Sequence, residues 1–255
     1  MPRYQGISLL ITHYNRSHSL ERLLTKMAEL DMQFEAIVVS DDGSKPEHLD
    51  YVRELATRYF FKLVTTPQNR GLGNNINKGQ DAITTPYTLY IQEDFIPLPA
   101  FTERLQQGFS FMEADKSIDL VRFYGYFPPL VRPYKDGFSE MYFTLNPFSK
   151  GGYAKFYAYS DHPHLKRSSF PEKFGRYREG IKAERTEYRM MISFLQHKGK
   201  GLFYNDFQGL LEQYNPTDEP STIRRGYWRN TGNWAVSFTR EVYRHVRFHF
   251  DYLFS

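Results

Sequence analysis

Four short apolar runs recur along the first hundred residues at nearly constant intervals. They are Ile7–Thr12, Phe34–Ser40, Phe60–Thr65 and Tyr87–Gln92, with starts 27, 26 and 27 residues apart. Runs of this length without polar alternation are the pattern of strands buried on both faces. Between the first two, Leu20, Leu23, Leu24, Met27 and Leu30 share one face of a helix. Ser44, Pro46 and Glu47 then read as the capping-box start of a second helix. Strand and helix alternating at this spacing predict βαβ units and an α/β fold with a mostly parallel, Rossmann-like sheet flanked by helices.

Beyond Pro97 the regularity weakens. Phe101–Glu113 reads as a helix, Asp119–Tyr124 as a further strand, and Glu184–His197 as a helix stopped near Gly199. Residues 125–180 are rich in Gly, Pro and aromatics without sustained periodicity, as expected of loops and short strands. The 255 residues carry no obvious linker, so 1–255 reads as one domain with a regular half at 1–100 and an embellished half at 101–255. The absence of Cys removes disulfides, thiolate metal sites and cysteine nucleophiles. A net charge of +4, with Lys and Arg scattered through most of the chain, is explained by an anionic small substrate and needs no nucleic acid. No run of about 18 apolar residues exists, and the N-terminal run is better read as a strand than as a signal peptide.

Ligands of open parallel sheets bind outside the carboxyl ends of the strands. Those ends read Thr12-His13-Tyr14-Asn15-Arg16, Ser40-Asp41-Asp42-Gly43-Ser44, Asn69-Arg70-Gly71-Leu72-Gly73-Asn74-Asn75-Ile76-Asn77 and Gln92-Glu93-Asp94. Asp-Asp-Gly-Ser is turn chemistry by itself, but four polar strand ends in succession form one rim. Glu93 and Asp94 at the end of a buried strand repel each other unless a positive group neutralises them. A hard divalent cation does so and keeps positions open for phosphate oxygens; the plain alternative is an acid pair held by Arg or Lys. The G-x-G-x-x-G, Walker, G-x-S-x-G and H-E-x-x-H patterns are all absent, and His162-Pro163-His164 lacks a third metal ligand.

The stretches ISLLITHYNRSHSLERLL, EAIVVSDDGS, NRGLGNNINKG and YTLYIQEDFIP, in this order over roughly residues 5–100, resemble a family 2 glycosyltransferase of the GT-A fold. FGRYREG and TEYRMMISFLQHKG resemble, more loosely, its acceptor-side segment and the helix carrying its base. The resemblance implies a nucleotide-sugar-binding half at 1–100 and an acceptor-side half at 101–255. It implies inverting, metal-dependent transfer from a nucleotide-diphospho-sugar, expected to be UDP-linked, to a glycan or lipid-linked acceptor in cell-surface polysaccharide synthesis. The cofactor would be a divalent Mn or Mg ion. Thr12, Tyr14 and Arg16 would line the base and ribose pocket, and Asp41 or Asp42 would accept a hydrogen bond from the nucleobase. Asn69, Gly71 and Asn77 match the loop under the nucleotide, while Ile76 stands where many members carry Arg. Gln92-Glu93-Asp94 takes the place of the D-x-D-type triplet, with Asp94 the direct metal ligand and Glu93 beside it; Gln92 replaces the first acid.

An acceptor hydroxyl is a poor nucleophile at neutral pH and needs a carboxylate to take its proton. By resemblance that base is Glu187, followed by Glu184 and then Asp161; Tyr188 stands where a second acid is usual. The alternative for Glu187 is a helix-face charge paired with Arg189 or Lys182. Tyr124, Tyr126, Tyr153, Tyr157, Tyr159 and Trp234 either pack the core or stack on sugars. Trp234–Phe254 reads as a basic aromatic helix with Val242, Val246, Phe250 and Leu253 on one face, which either packs on the domain or lies on an anionic leaflet. The expected location is cytoplasmic, at the inner face of a membrane if the helix binds there. Two rival functions stand beside this one: a nucleotidyltransferase, and a catalytically degenerate member that binds a nucleotide or glycan without turnover.

Overall fold

The computed structural model describes residues 3–146, 149, 152–220 and 234–254; side chains of Arg3 and of 234–237 are not among them. Trp234 as a stacking ring therefore lies outside the described residues. The first half is β1 (Arg3–His13), α1 (Ser17–Glu29), β2 (Gln33–Asp41), α2 (Pro46–Tyr59), β3 (Lys62–Val64), α3 (Leu72–Asp81) and β4 (Tyr87–Gln92). The second half holds β5 (Phe95–Pro97), α4 (Pro99–Ala114), β6 (Leu120–Arg122), β7 (Val131–Lys135), β8 (Phe138–Met141), β9 (His164–Arg167), α5 (Phe170–Phe174), α6 (Ala183–Gln196), β10 (Gly201–Tyr204), β11 (Leu211–Gln213) and α7 (Trp234–Phe254).

The strands form a nine-stranded sheet, β3-β2-β1-β4-β9-β6-β10-β8-β7, and a two-stranded ribbon, β11-β5. Pairing among β3, β2, β1 and β4 is parallel throughout. Beyond β4 the sheet becomes mixed, because β9 runs antiparallel between β4 and β6. The apolar runs are continuous because the sheet is covered twice. Leu9 and Ile11 face α1 and α4 with Leu20, Leu23, Phe101 and Leu105, while Leu10 faces the other way with Ile76, Tyr90 and Phe194. Register sets Thr12 beside both Ser40 and Gln92, and His13 beside Asp41, so three strand ends finish level.

Two local expectations fail for visible reasons. The capping box before α2 does not form: Lys45 is the N-cap without a side-chain cap, and Pro46 opens the helix. The Ser44 hydroxyl is used elsewhere, on Asp41 and on Asn15 N–H. Phe60 does not begin β3; it ends α2 in the left-handed conformation with its ring in solvent. The stop after α6 is built on Lys198, which takes the left-handed turn, and Gly199 N–H closes back on Phe194 O at 2.7 Å.

Helix α7 packs, but by another stripe than the one expected. Phe248 is buried against Phe156 and Tyr188, the Tyr188 hydroxyl donates to Asp251 at 2.6 Å, and Gln196 donates to Tyr252 O. Val242, Val246, Phe250 and Leu253 all face solvent, Val246 at 63% exposure. Among the described residues no helix is long and apolar enough to cross a membrane.

Candidate active site

The rim is latched together before any ligand arrives. Asn15 bends the chain after β1 through the left-handed region, which Asn tolerates. Its side-chain oxygen accepts Lys45 N–H at 2.8 Å, and its N–H donates to Ser44 Oγ at 2.8 Å. Gly43, also left-handed, packs so closely on Gln68 that a Cβ would stand 2.4 Å from backbone carbon. The β1, β2 and β3 ends are thereby one structure.

Asp41 and Asp42 are enclosed, and their oxygens are already engaged by the protein. Asp41, at 0% exposure, accepts from His13 Nδ1 at 2.8 Å, Thr65 Oγ1 at 2.7 Å, the N–H groups of Gly43 and Ser44, and the Ser44 hydroxyl. Burial pushes this carboxyl up, but the bonds from His13, Ser44 and Thr65 outweigh it and hold the group well below the usual range. His13, Asp41 and Ser44 resemble a nucleophile triad in composition only, since His13 Nε2 accepts Arg16 N–H at 3.2 Å and Ser44 bonds the acid. Asp42 accepts Arg70 and Gly71 N–H at 2.8 and 2.9 Å and so anchors the 69–71 loop; burial raises its pKa.

Within that loop Asn69 is exposed and Gly71 has φ +86°. Asn77 turns inward instead, donating to Tyr177 O at 2.8 Å and Glu179 Oε1 at 2.9 Å. Ile76 is fully buried in the core, so this helix offers an apolar contact where an Arg would reach out. Thr12 is buried with its hydroxyl 3.1 Å from Tyr90 OH, and Tyr14 is half-buried at the rim.

Arg16 occupies the centre. Its buried guanidinium lies 3.5 Å from Glu93 Oε1 and 3.4 Å from Asp94 Oδ2, donates to Asn215 Oδ1 at 2.8 Å, and reaches Glu219 O at 3.2 Å. The acid pair is thus neutralised by an arginine from the neighbouring strand end. Burial, with Asp94 adjacent, pushes the Glu93 carboxyl up to about 8. Asp94 Oδ2 takes Gln213 Nε2–H at 2.9 Å, whereas its buried Oδ1 has no partner. That orphaned carboxylate oxygen, beside a second acid, fits a hard divalent ion. No cluster of three or more acid or His ligands exists among the described residues, so remaining positions would fall to other oxygens.

Three side chains at this rim carry no mark in the sequence: Gln213, Asn215 and Glu219. β11 pairs antiparallel with β5, the strand directly after Asp94, and Tyr214 N–H bonds Asp94 O at 2.8 Å. The chain then crosses to α1, where the Glu219 carboxylate accepts His18 N–H at 2.9 Å, Ser19 N–H at 2.7 Å and Ser19 Oγ–H at 2.6 Å. An anion at a helix N-terminus is electrostatically favoured. Proximity across roughly 200 residues of sequence has no local signature.

On the acceptor side the structure joins Asp161 and Glu187. Glu187 Oε1 accepts Asp161 N–H at 3.2 Å. Asp161 Oδ1 accepts Tyr159 OH at 2.7 Å, Tyr159 meets Tyr177 OH at 2.6 Å, and Lys166 donates to Tyr177 at 3.2 Å; Asp161 Oδ2 is buried without a partner. Burial raises both carboxyls, reinforced at Asp161 by the Glu187 charge, and burial lowers Lys166 to about 7. Glu184, one turn earlier on α6, is exposed. Tyr188 faces α7, where its hydroxyl donates to Asp251. Gly73 ties this side to the donor loop: a Cβ would stand 2.2 Å from Arg178 O, just ahead of α6.

The profile described as "Glycosyl transferase family 2" matches residues 8–170, more than half of the chain. The chain belongs to that family. Its fold is of the GT-A kind. Among curated relatives, the poly-beta-1,6-N-acetyl-D-glucosamine synthase of Staphylococcus epidermidis is 27% identical over 92 residues, which is 36% of this chain and 22% of that one. The synthase of Staphylococcus aureus (strain COL) is 26% identical with the same coverage. The chain thus aligns with about a fifth of the length of these relatives. Among solved structures, S. aureus TarS 1-349 in complex with UDP-GlcNAc superposes with a TM-score of 0.63 at 15% identity, over 98% of this chain and 73% of that one. The mannosyltransferase PcManGT from Pyrobaculum calidifontis, in complex with GDP-Man and Mn2+, gives 0.59 at 16%, over 96% and 63%. At these identities the likeness is one of fold.

Proposed function

We propose that this protein moves a sugar from a UDP-linked donor to a glycan or lipid-linked acceptor with inversion, in the synthesis of a cell-surface polysaccharide. The observation that carries the reading is the convergence of Arg16, Glu93 and Asp94 at one rim, with Asp94 Oδ1 buried and unpartnered. The relatives support the donor and pathway class, since they include poly-N-acetylglucosamine synthases and a fold neighbour bound to UDP-GlcNAc.

A divalent ion held by Asp94, with Glu93 beside it, would supply charge neutralisation to the diphosphate. The chain's own residues do the rest. Arg16 presents a fixed cation to the phosphates, and the loop anchored on Asp42 closes the nucleotide side. Glu187 takes the proton of the attacking hydroxyl as the acceptor oxygen bonds to the anomeric carbon. The bond from that carbon to the diphosphate oxygen breaks, and its electron pair leaves with the nucleotide. Burial raises the Glu187 carboxyl above the ordinary carboxylate range, which strengthens it as a base, while the Asp161 N–H bond and the Arg122 charge favour its ionised form. The exposed apolar stripe of α7 supports a peripheral membrane contact.

Thermal unfolding with UDP, with and without Mn2+, tests the donor site. The expected result is a metal-dependent rise in Tm that disappears in Asp94→Asn. A wild-type protein indifferent to UDP and manganese overturns the reading.

A further inference from the structure

We propose that Tyr126, flanked by Phe127, is the platform on which the terminal pyranose of the acceptor stacks, and that Gln213 holds this platform in register with Asp94. The proposal rests on the donor-site reading above and adds the acceptor's binding surface to it.

Most described aromatic side chains of the second half are buried or half-buried, and among the exposed ones Tyr126 and Phe127, in the loop after β6, are 60% and 39% exposed. Exposure alone would be unremarked; the mounting is what sets these rings apart. Tyr126 is held edge-on by His162, centroids 4.6 Å apart at 88°, and by Tyr124 at 6.1 Å and 78°. Tyr124 is in turn wedged against Phe95, the residue after Asp94, at 4.9 Å. Phe127 stands edge-on to Tyr157 at 5.3 Å. A ring fixed at its edges and open over much of its surface is preorganised to bind a flat apolar face at small entropic cost.

The second tie is polar. Tyr126 OH donates to Gln213 Oε1 at 3.0 Å, and the same amide donates through Nε2 to Asp94 Oδ2 at 2.9 Å. One side-chain amide therefore separates the exposed ring from the acid assigned to the metal. Any sugar lying on Tyr126 is adjacent to the rim where the donor's diphosphate would sit.

The support is also neutral. Burial, reinforced by Arg122, brings His162 down to about 3, so the imidazole under the platform carries no charge at working pH. This chemistry selects a pyranose, whose axial C–H bonds form an apolar patch that matches the electron-rich face of a phenol ring. It does not select a phosphate or an acyclic polyol.

Saturation-transfer NMR with methyl β-D-glucopyranoside and methyl N-acetyl-β-D-glucosaminide, in the presence of UDP and Mg2+, tests this, with sorbitol as the acyclic control. The expected result is saturation concentrated on the axial ring protons of the glycosides and none on sorbitol. Tyr126→Ala should weaken glycoside binding roughly tenfold, while Tyr126→Phe, which keeps the ring and loses its bond to Gln213, should fall between wild type and Tyr126→Ala, at roughly threefold. Absence of saturation in the wild type, or full binding by Tyr126→Ala, overturns the proposal. The UDP–manganese thermal shift separates the two readings. It should be unchanged in Tyr126→Ala, and its loss there would move Tyr126 out of the acceptor side. If the wild type lacks that shift the donor reading fails, while the glycoside signal still decides the platform.

Discussion

Replacing Asp41 by Asn distinguishes a carboxylate that supports the rim from one that reads a nucleobase. Oδ2 takes Gly43 N–H, Ser44 N–H and the Thr65 hydroxyl at 3.0, 3.1 and 2.7 Å, and Oδ1 takes His13 Nδ1 and the Ser44 hydroxyl. An Asn keeps the turn only by placing its oxygen at the Oδ2 position, because two of those donors are fixed backbone N–H groups. Its NH2 then faces His13. The tautomer with a proton on Nδ1 is the one this network assigns, since Nε2 accepts Arg16 N–H. His13 cannot switch without setting an N–H against that amide. One buried donor left unsatisfied costs about 1–3 kcal/mol, and the surviving bonds fall from charged to neutral strength. A total of about 3 kcal/mol follows, or roughly 6–12 °C in Tm for a domain of this size.

Differential scanning calorimetry at pH 7 reads that loss, and the shift added by UDP reads the ligand site separately. The expected outcome is a large drop in Tm with the UDP shift retained. Because the native Asp41 pKa is depressed, its stabilisation is present above the ordinary carboxylate range and is lost as pH falls through it. The gap between Asp and Asn should therefore narrow below about pH 4. A variant that unfolds where the wild type does, yet ignores UDP, would refute the supporting role and restore the nucleobase contact.

Other consequences are as direct. The rate of nucleotide release should rise with pH as Glu187 loses its proton, and Arg122→Gln should move that limb to higher pH by removing the cation that favours the ionised carboxylate; an unmoved limb excludes Glu187 as the base. Gly73→Ala forces a Cβ against Arg178 O and should destabilise by about 1–3 kcal/mol in urea unfolding, with a further loss of kcat because α3 and the approach to α6 move apart. Val246→Glu on the exposed stripe of α7 should leave Tm unchanged and abolish co-sedimentation with vesicles rich in phosphatidylserine; retained sedimentation removes α7 as the contact.

Much of the donor half was legible because each signal there is local. Strands buried on both faces print as unbroken apolar runs, and β1, β2 and β4 fall where Ile7–Thr12, Phe34–Ser40 and Tyr87–Gln92 predict them. Parallel register then places their polar ends on one rim without further information. The departures are equally local competitions. Phe60 looked like strand material, but the chain needed a left-handed residue to leave α2. Ser44 looked like a cap, but buried Asp41 and the Asn15 N–H claimed its hydroxyl. On α7 the period of 3.6 identified an apolar face, yet could not say that a neighbouring stripe centred on Phe248 would be the one buried, because that depends on Phe156 and Tyr188 rather than on the helix.

The acceptor half was opaque for a different reason: its residues are meaningful only in pairs that the sequence separates widely. Asp161 is an unremarkable loop acid until β9 and α6 bring Glu187 against its backbone. Gln213 follows no motif, but the β5–β11 pairing sets it between Asp94 and Tyr126. The same short strand carries Asn215 and Glu219 to Arg16 and the start of α1. A single register shift in that three-residue ribbon would invert the side of the sheet that each presents. The antiparallel match of Gln213 with Phe95 is therefore as much a part of the site as the acids are, since together with Tyr214 N–H on Asp94 O it brings this segment to the carboxyl end of β4.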